Sequence, residues 1–430
     1  MQQTPASQTG ETSGVKDLHE DLREISLLLS LLLKSIRSKN HPLIHAQLKI
    51  LTASEKMSDA YSLRKLKRES KILFRNLTSL AGSRETSDSF QSPSFAHSVF
   101  SEAGNQEGKI REAMNDYKRD YHLDGIPYEQ QFKKEYIDCP IKFPIHIFLV
   151  NSGMAALSTI LTFLHCEDKL DRPILVGKNT YFQSKELILK TSKKNTSLIE
   201  ESHTAEICSA IVSLEPSVLF LDSLTNTGSM RTPDLSTIID FAVRTVKKDL
   251  YIIVDNTCLS LYFQPLRQLF LKTIHVRIIV YESLNKYHEF GTDRVTAGII
   301  WAYGKDTEKL FDYRKNCGTN ISDASVYALP RPDRKLITQR LRRHGRNALY
   351  ISTRLSAYIK SHSLENKMRI SYPGLPTHPS YPYTKSYSFH GSFFSIELKD
   401  PYNKLSVFRA LRNKVLTEAR KINLPITAGT

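Results

Sequence analysis

The sequence predicts an α/β fold built on a mostly parallel sheet that helices cover on both faces. From residue 143 onward, short continuous apolar runs alternate with segments of helical length, which is typical of parallel strands buried on both faces. The runs are FPIHIFLV, PILVG, PSVLFLDS, LYIIVDN, IHVRIIVYES and VTAGIIWAY. Ligands of such sheets bind beyond the carboxyl ends of the strands, so the polar residues that close these runs are the candidates for a site.

The composition is that of an ordinary globular protein whose length predicts two or three domains. Of its 430 residues, 40% are hydrophobic and 24% are charged, so the chain can bury a large core. Sixty Lys and Arg against 44 Asp and Glu give a formal net charge of +16, which alone would favour a polyanion as partner. The excess is spread along the chain. A nucleic-acid binder is therefore the least favoured hypothesis, and a basic surface around an anionic ligand is the simpler one.

Three segments with different patterns follow one another along the chain. Residues 1–105 comprise a polar start, expected to be disordered over 1–15, then two or three amphipathic helices over 16–81 and a Ser-rich linker. We expect these helices to form an arm that stabilises an oligomer, with a regulatory or targeting role as the alternative. Residues 106–335 form the large domain and 336–430 a smaller C-terminal α/β domain.

The cysteines and the longest N-terminal apolar block bear on location. The five cysteines are widely spaced and odd in number, which fits free thiols in a reducing compartment better than a disulfide framework or a metal site. The block ISLLLSLLLKSI is far shorter than a bilayer-spanning helix. We therefore expect a cytoplasmic protein that binds no metal and does not enter the membrane.

Residues with useful chemistry follow several of the predicted strands. The turn NSGMAAL offers the backbone N–H groups of Gly153 and Met154 at a helix start, which suits an anion such as phosphate. Asp255 closes LYIIV, and Lys286 comes shortly after VRIIVYES. Each has an ordinary explanation in isolation, because strand-to-helix turns are common, an Asp often caps a helix and a Lys often only reaches the surface.

Together these residue types meet the needs of one cofactor, pyridoxal phosphate. That cofactor needs a lysine for a Schiff base, a carboxylate beside the pyridine nitrogen, an anion cradle and an aromatic ring to stack on its own ring. All four residue types occur within one α/β segment of this chain.

The motifs resemble those of the Cys/Met metabolism pyridoxal-phosphate enzymes. That family includes cystathionine gamma-synthases, cystathionine beta- and gamma-lyases, methionine gamma-lyases and O-acetylhomoserine sulfhydrylases. NSGMAAL is similar to the family's Ser-Gly-Met-Ala-Ala turn, VDNTCLSLYFQPL to its Val-Asp-Asn-Thr segment, and SLNKYHEFGTD to its Ser-x-Thr-Lys-Tyr segment. YKR (117–119) and ISYPGLPTHP add two matches. The resemblance covers residues 109–430 and implies the fold-type I fold of pyridoxal-phosphate-dependent transferases.

The resemblance also implies a role for each matching residue. Lys286 would be the Schiff-base lysine and the proton shuttle, with its pKa lowered by partial burial and by the cationic ring. Tyr181 would stack on the ring and assist at the leaving group. Asp255 would pair with the pyridine nitrogen and Asn226 with the ring oxygen O3′. The phosphate would be held by the remaining candidates, which are Gly153, Met154, Ser283, Asn285, Tyr117 and Arg119.

The implied assembly and reaction follow from the same resemblance. Tyr117 and Arg119 would reach in from a neighbouring subunit, so a homodimer or homotetramer with shared active sites is expected. The expected reaction is elimination or replacement at Cβ or Cγ of a sulfur-containing or O-acylated amino acid, such as cystathionine or an activated homoserine.

Three departures from the family pattern keep a second hypothesis open. Asn285 stands where the family usually has Thr, and Gln183 stands where methionine gamma-lyases have Cys. No position of this chain matches the family's arginine for the substrate α-carboxylate. The alternative is a catalytically impaired protein that keeps the fold and acts as a binding or scaffold module.

Overall fold

The computed structural model describes residues 6–35, 41–88, 125–139, 144–192, 195–268 and 275–421. They form an N-terminal helical unit (residues 6–88), a large domain around a seven-stranded sheet, and a C-terminal domain with a two-stranded sheet. Tyr117, Arg119 and nearly all of the predicted linker lie outside the described residues.

The N-terminal helical unit contains α1 (Ala6–Ser35), α2 (Pro42–Ala53), a short 3-10 helix (Ser54–Lys56) and α3 (Ala60–Asp88). Three helices were expected at most, and three are present. Helix α1 starts at Ala6, so residues 6–15 are helical where their polar composition predicts disorder. These turns extend a helix whose residues Leu22 and Leu29 are buried, and helix growth from a packed segment costs little because it is cooperative.

The large domain begins with α4 (Ile126–Tyr136) and continues with alternating strands and helices. In chain order these are β1 (Ile145–Val150), α5 (Gly153–Cys166), β2 (Ile174–Gly177), α6 (Phe182–Ser192), β3 (Thr196–Ile199), α7 (Thr204–Leu214), β4 (Val218–Asp222), α8 (Leu235–Thr245) and β5 (Leu250–Asp255). Two short 3-10 helices (Ser260–Tyr262 and Pro265–Gln268), β6 (Val276–Ser283) and β7 (Gly298–Tyr303) follow. The six predicted strands are all present.

Strand β3 is the one strand of this sheet that the sequence pattern did not predict. Its four residues, TSLI, are mostly polar or solvent-facing, and Leu198 is 46% exposed. It lies at the edge of the sheet, where burial on both faces is not required. A short edge strand therefore lacks the continuous apolar run that marks the others.

The sheet order brings the ends of the central strands to one edge. The order is β1-β7-β6-β5-β4-β2-β3, with β7 antiparallel to both neighbours and the remaining neighbours parallel. Asp222 of β4 lies opposite Asp255 of β5, which in turn lies opposite Tyr281 of β6. The predicted mostly parallel sheet flanked by helices is confirmed, and its carboxyl edge gathers the polar strand ends.

The remaining elements form the link to the C-terminal domain and that domain itself. They are a 3-10 helix (Thr307–Lys309), α9 (Leu310–Asn316), α10 (Asp323–Ala328), α11 (Arg334–Ser361), β8 (Met368–Ser371), α12 (Tyr381–Thr384), β9 (Ser395–Leu398) and α13 (Leu405–Lys421). Asp333 caps α11, since its Oδ1 accepts from the Leu336 N–H at 2.9 Å. Strands β8 and β9 pair in antiparallel fashion.

The N-terminal helical unit packs on its own chain. Helix α3 lies against α10, where a Cβ placed on Gly82 would be 3.3 Å from the carbonyl oxygen of Ala324. Helix α1 faces α11, and Glu24 accepts from Arg340 at 2.5 Å and from Arg343 at 2.7 Å. Of the helices in the described ranges, none has the length and apolarity that a membrane crossing requires.

Candidate active site

The turn between β1 and α5 forms one wall of the site. Ser152 is extended and its Oγ accepts from the Ala155 N–H at 3.0 Å, which starts α5 and leaves the Gly153 and Met154 N–H groups without acceptors inside the helix. A Cβ on Gly153 would lie 2.9 Å from the Cβ of Ser283, so only glycine permits this approach to β6. The helix N-terminus and Ser283 thus form a cradle suited to an anion.

Two carboxylates lie side by side at the ends of β4 and β5. Asp222 is 4% exposed and accepts from the Tyr181 N–H at 3.0 Å, and Asp255 accepts from the Thr257 N–H at 3.0 Å. Burial raises the pKa of Asp222 well above its ordinary value, and the neighbouring Asp255 raises it further. Burial also raises the pKa of Asp255. Both groups favour protonation because the charged form is poorly solvated.

The side chains whose charges act on this acid pair (Asp222 and Asp255) are also acidic. Glu201 adds to the rise in the Asp222 pKa, and Glu282 adds to that of Asp255. In the part of the chain that the structure describes, no basic side chain forms an ion pair with either carboxylate. The site therefore offers a cationic group two carboxylates at once.

The segment after β6 carries Lys286 and is fastened to the adjacent strands. The Ser283 N–H donates to Thr257 Oγ1 at 3.0 Å, and Asn285 Oδ1 accepts from the Ala297 N–H at 2.9 Å. Lys286 itself is exposed, in contrast to the partial burial that its expected role suggested. The segment is fixed while its lysine remains free to reach a ligand.

Cys258 lies within electrostatic reach of Lys286 and of the acid pair. Burial raises the pKa of the Cys258 thiol well above its ordinary value, and Asp255 and then Asp222 raise it further. The positive charge of Lys286 opposes this rise. The three side chains therefore lie in the same region of the protein, at the carboxyl ends of the strands.

Tyr181 is linked directly to the acid pair, whereas Asn226 lies in an exposed loop. Besides its N–H bond to Asp222, Tyr181 donates its hydroxyl to Gln183 Oε1 at 2.8 Å. Its ring meets that of Phe182 edge-on, with centroids 5.0 Å apart. Asn226 is exposed and follows the end of β4 by four residues.

Several residues of this region were missed at the level of sequence. Asp222 closes a buried strand as Asp255 does, so the same signal identifies it, yet only Asn226 was selected from that segment. Thr257 and Glu282 carry no comparable signal, because their contacts depend on how neighbouring strands pair. Of the predicted residues, Gly153, Ser283, Asp255, Lys286 and Tyr181 meet at this edge, and Tyr117 and Arg119 lie outside the described ranges.

Comparisons with known proteins agree with this geometry. The family model "Cys/Met metabolism PLP-dependent enzyme" matches residues 80–420. Cystathionine beta-lyase of Neurospora crassa is 28% identical over 238 residues, which are 54% of this chain and 47% of the relative. Cystathionine beta-lyase of Coxiella burnetii is 25% identical over 264 residues, 60% of this chain and 63% of the relative. The chain thus spans less than two thirds of the length of these relatives.

A solved structure supports the same assignment at the level of the fold. Cystathionine gamma-lyase from Lactobacillus plantarum superposes with a TM-score of 0.55 at 24% identity, covering 71% of this chain and 73% of that one. The predicted fold-type I architecture is therefore confirmed. Since the family model covers most of the sequence, the chain belongs to the Cys/Met metabolism PLP-dependent enzyme family.

Proposed function

We propose that this protein catalyses elimination or replacement at Cβ or Cγ of a sulfur-containing or O-acylated amino acid, with pyridoxal phosphate as its cofactor. The observation that carries the proposal is the arrangement at the carboxyl ends of the strands, where the cradle of Gly153 and Ser283 lies at the same edge as the acid pair. Relatives named cystathionine beta-lyase and cystathionine gamma-lyase support a substrate of the cystathionine or homoserine-ester class. Its reaction is of the transsulfuration type.

The residues of the site fit the proposed cofactor in two places. The free N–H groups of Gly153 and Met154, with the Ser283 hydroxyl, suit a phosphate. The acid pair has carboxylates without a basic partner among the described residues, which suits a protonated pyridine nitrogen. When bound, pyridoxal phosphate supplies a ring that withdraws electrons and stabilises negative charge at the substrate carbon.

The protein's own groups then divide the work. Asp255 would face the ring nitrogen and keep a proton on it, and its position opposite Asp222 at the ends of β4 and β5 supports this role. Asp222 holds the backbone of Tyr181, whose ring would stack on the cofactor and whose hydroxyl would assist the leaving group. Lys286 would hold the cofactor through Nζ, and its amine, once displaced by that of the substrate, would move the proton of the substrate Cα.

Two asparagines take supporting positions in this proposal. Asn226 donates to the ring oxygen O3′. Asn285 Oδ1 already accepts from the Ala297 N–H, so its amide nitrogen is the group that donates to the phosphate. The amide would thus replace the hydroxyl that the family usually provides at this position.

The same proposal includes a homodimer or homotetramer in the cytoplasm, with Tyr117 and Arg119 of one subunit completing the phosphate site of another. The resemblance of YKR to the family motif supports this arrangement. Subunit mixing tests it. Lys286→Ala and Arg119→Ala proteins, each inactive alone, regain part of the activity when refolded together, because one hybrid site is then intact. Two inactive proteins that stay inactive after mixing would argue against shared sites.

The function is tested by absorbance spectra and product assays. Wild-type protein with added pyridoxal phosphate should show a band near ~420 nm that Lys286→Ala lacks. Lys305→Ala is the matched control, since Lys305 is also exposed but follows β7 at the opposite edge of the sheet. Release of keto acid and thiol from cystathionine would then demonstrate the proposed elimination reaction. A band that persists in Lys286→Ala would refute the assignment, and a normal band without turnover of any candidate substrate would favour the binding-module alternative.

A further inference from the structure

A buried polar network lies behind the Lys286 segment. It consists of Asn256, Ser260, Glu282 and His288, none of which is more than 3% exposed. Glu282 Oε1 accepts from Asn256 Nδ2 at 3.1 Å, and its Oε2 accepts from Ser260 Oγ at 2.9 Å. His288 Nε2 lies 2.9 Å from the same Ser260 Oγ. Because Ser260 donates its single proton to the carboxylate, we assign the His288 Nε2–H as the donor to Ser260.

The network connects the segments that carry the proposed cofactor residues. Three of its members are near neighbours of those residues in the chain: Asn256 of Asp255, Glu282 of Ser283, and His288 of Lys286. A continuous path of side-chain hydrogen bonds thus runs from the end of β5 through the end of β6 to the lysine segment. Among the described residues no backbone ladder joins the first of these segments to the last, and the Tyr287 hydroxyl makes one further bond between them, to the Cys258 oxygen at 3.0 Å.

Ser260 sits at the centre of the network in a strained backbone conformation. Its φ is +45°, in the left-handed region that residues other than glycine avoid. The turn is closed by a bond from the Ser260 N–H to the Asn256 oxygen at 2.7 Å and one from Asn256 Nδ2 to the Ser260 oxygen at 2.9 Å. Glycine would relieve the strain but would remove the hydroxyl. Such strain at a position with a required side chain indicates a functional constraint.

The burial of the network excludes a nucleophilic role for Ser260. The His288 ring packs against the rings of Phe132 and Tyr136, with centroids 5.8 and 5.1 Å away. A substrate cannot reach a serine that is 2% exposed behind these rings. Ser260, His288 and Glu282 therefore do not form a nucleophilic triad, and their role is to hold the neighbouring segments in place.

We propose that Ser260 and His288 are positioning residues that hold the Lys286 segment in register with Asp255. The proposal rests on the proposed function, because it concerns where the lysine lies relative to the carboxylate that faces the cofactor. Removing the bond between Ser260 and His288 loosens the lysine segment at its His288 end, while the sheet, the carboxylates and the bond from the Tyr287 hydroxyl to the Cys258 oxygen stay in place. The protein then keeps its fold and loses affinity for pyridoxal phosphate.

Four variants test this proposal. Ser260→Ala and His288→Leu remove the bond, and His288→Gln keeps a donor near the Nε2 position without an ionisable group. Ser70→Ala is the matched control, since Ser70 is fully buried in the N-terminal helical unit, where its Oγ donates to the Leu66 oxygen at 2.7 Å and accepts from Gln47 Nε2 at 2.8 Å. The readouts are the dissociation constant of pyridoxal phosphate from the ~420 nm band and hydrogen exchange of residues 284–293 in cofactor-free protein.

We expect Ser260→Ala and His288→Leu to raise the dissociation constant about tenfold, as the loss of one hydrogen bond predicts, and to speed exchange in the lysine segment. His288→Gln should stay near wild type, and Ser70→Ala should lower only the melting temperature. Equal behaviour of His288→Gln and His288→Leu, or of the two serine variants, would overturn the proposal. A wild type without any band would instead overturn the proposed function, and the exchange measurement, which needs no cofactor, would still decide the positioning role.

Discussion

Glu24 of α1 and Asp222 at the end of β4 are both buried but face opposite surroundings. Glu24, 7% exposed, lies between the guanidinium groups of Arg340 and Arg343. Asp222, 4% exposed, faces a second carboxylate, Asp255. A buried charge is costly unless it is paired. The negative charge of Glu24 is therefore balanced by its two arginines within the folded chain. The acid pair has no such partner among the described residues, and in the proposed function a cationic ligand would balance its charge.

This difference distinguishes the contact between α1 and α11, which stabilises the fold, from the strand ends that we propose bind the cofactor. The contacts between α1 and α11 hold the N-terminal helical unit against the rest of the chain and leave no acceptor for a ligand. Burial raises the pKa of both acids, so keeping the pair ionised costs free energy unless a cation lies beside it. Sites for ligands are commonly places where stability is sacrificed in this way.

The strongest test of the comparison is Asp255→Asn. The amide still accepts the Thr257 N–H through its oxygen but cannot hold a proton on a pyridine nitrogen. We expect kcat/KM to fall on the order of 10³-fold, about 4 kcal/mol of transition-state stabilisation. The melting temperature should not fall, because the change removes a buried charge that has no basic partner among the described residues. Steady-state kinetics and thermal unfolding of the same preparation give both numbers. Unchanged kcat/KM would mean that Asp255 is not the carboxylate that serves the cofactor.

The equivalent change in the completed cluster should have the opposite signature. Glu24→Gln leaves two guanidinium groups without their shared carboxylate and should lower the free energy of unfolding by about 3 kcal/mol, as expected for a broken buried pair. The spectrum of bound cofactor should not change. Urea unfolding measures the loss, and Glu55→Gln is the control, because its pair with Arg23 is more than half exposed. A loss as small as that of the control would mean that burial gives Glu24 no special weight.

The acid pair also predicts a direction of pH dependence for the cofactor-free protein. The pKa values of Asp222 and Asp255 are raised, chiefly by burial, so the folded state retains protons that the unfolded state has released above its ordinary value near 3.8. The number of bound protons is then larger in the folded state, and the unfolding free energy falls as pH rises through the folded pKa values. Each group contributes a slope of at most about 1.4 kcal/mol per pH unit.

Subtracting a variant isolates this contribution from that of other groups. In Asp222→Asn the decline with rising pH should be shallower than in wild type, because one of the two raised pKa values is gone. Groups that do not interact with Asp222 contribute equally to both curves and cancel in the difference. Unfolding by urea at several pH values gives the two curves. Parallel curves would show that the pair does not bind protons in the folded state.

The sequence predicted the sheet, and the gathering of polar strand ends at its carboxyl edge, for reasons that its chemistry explains. Continuous apolar runs mark strands buried on both faces, and the residues that close them, such as Asp255 and Lys286, must meet at one edge because parallel strands end together. Strand β3 was missed because an edge strand needs no apolar run. The roles of Glu282 and Ser260 were also missed, since their hydrogen bonds depend on strand register and on one turn that composition does not specify.

We expect the smallest effect on the free energy of unfolding from a change at the exposed end of the contact between α1 and α11. Arg346 pairs with Asp17 at 2.6 Å and with Glu20 at 2.9 Å, but its side chain is 47% exposed. Water and salt weaken such pairs, so Arg346→Ala should cost less than about 1 kcal/mol, and the cost should shrink further in high salt. Urea unfolding at two ionic strengths provides the measurement. A loss as large as that of Glu24→Gln would mean that the whole row of ion pairs acts as one network, in which exposure does not decide the strength of a pair.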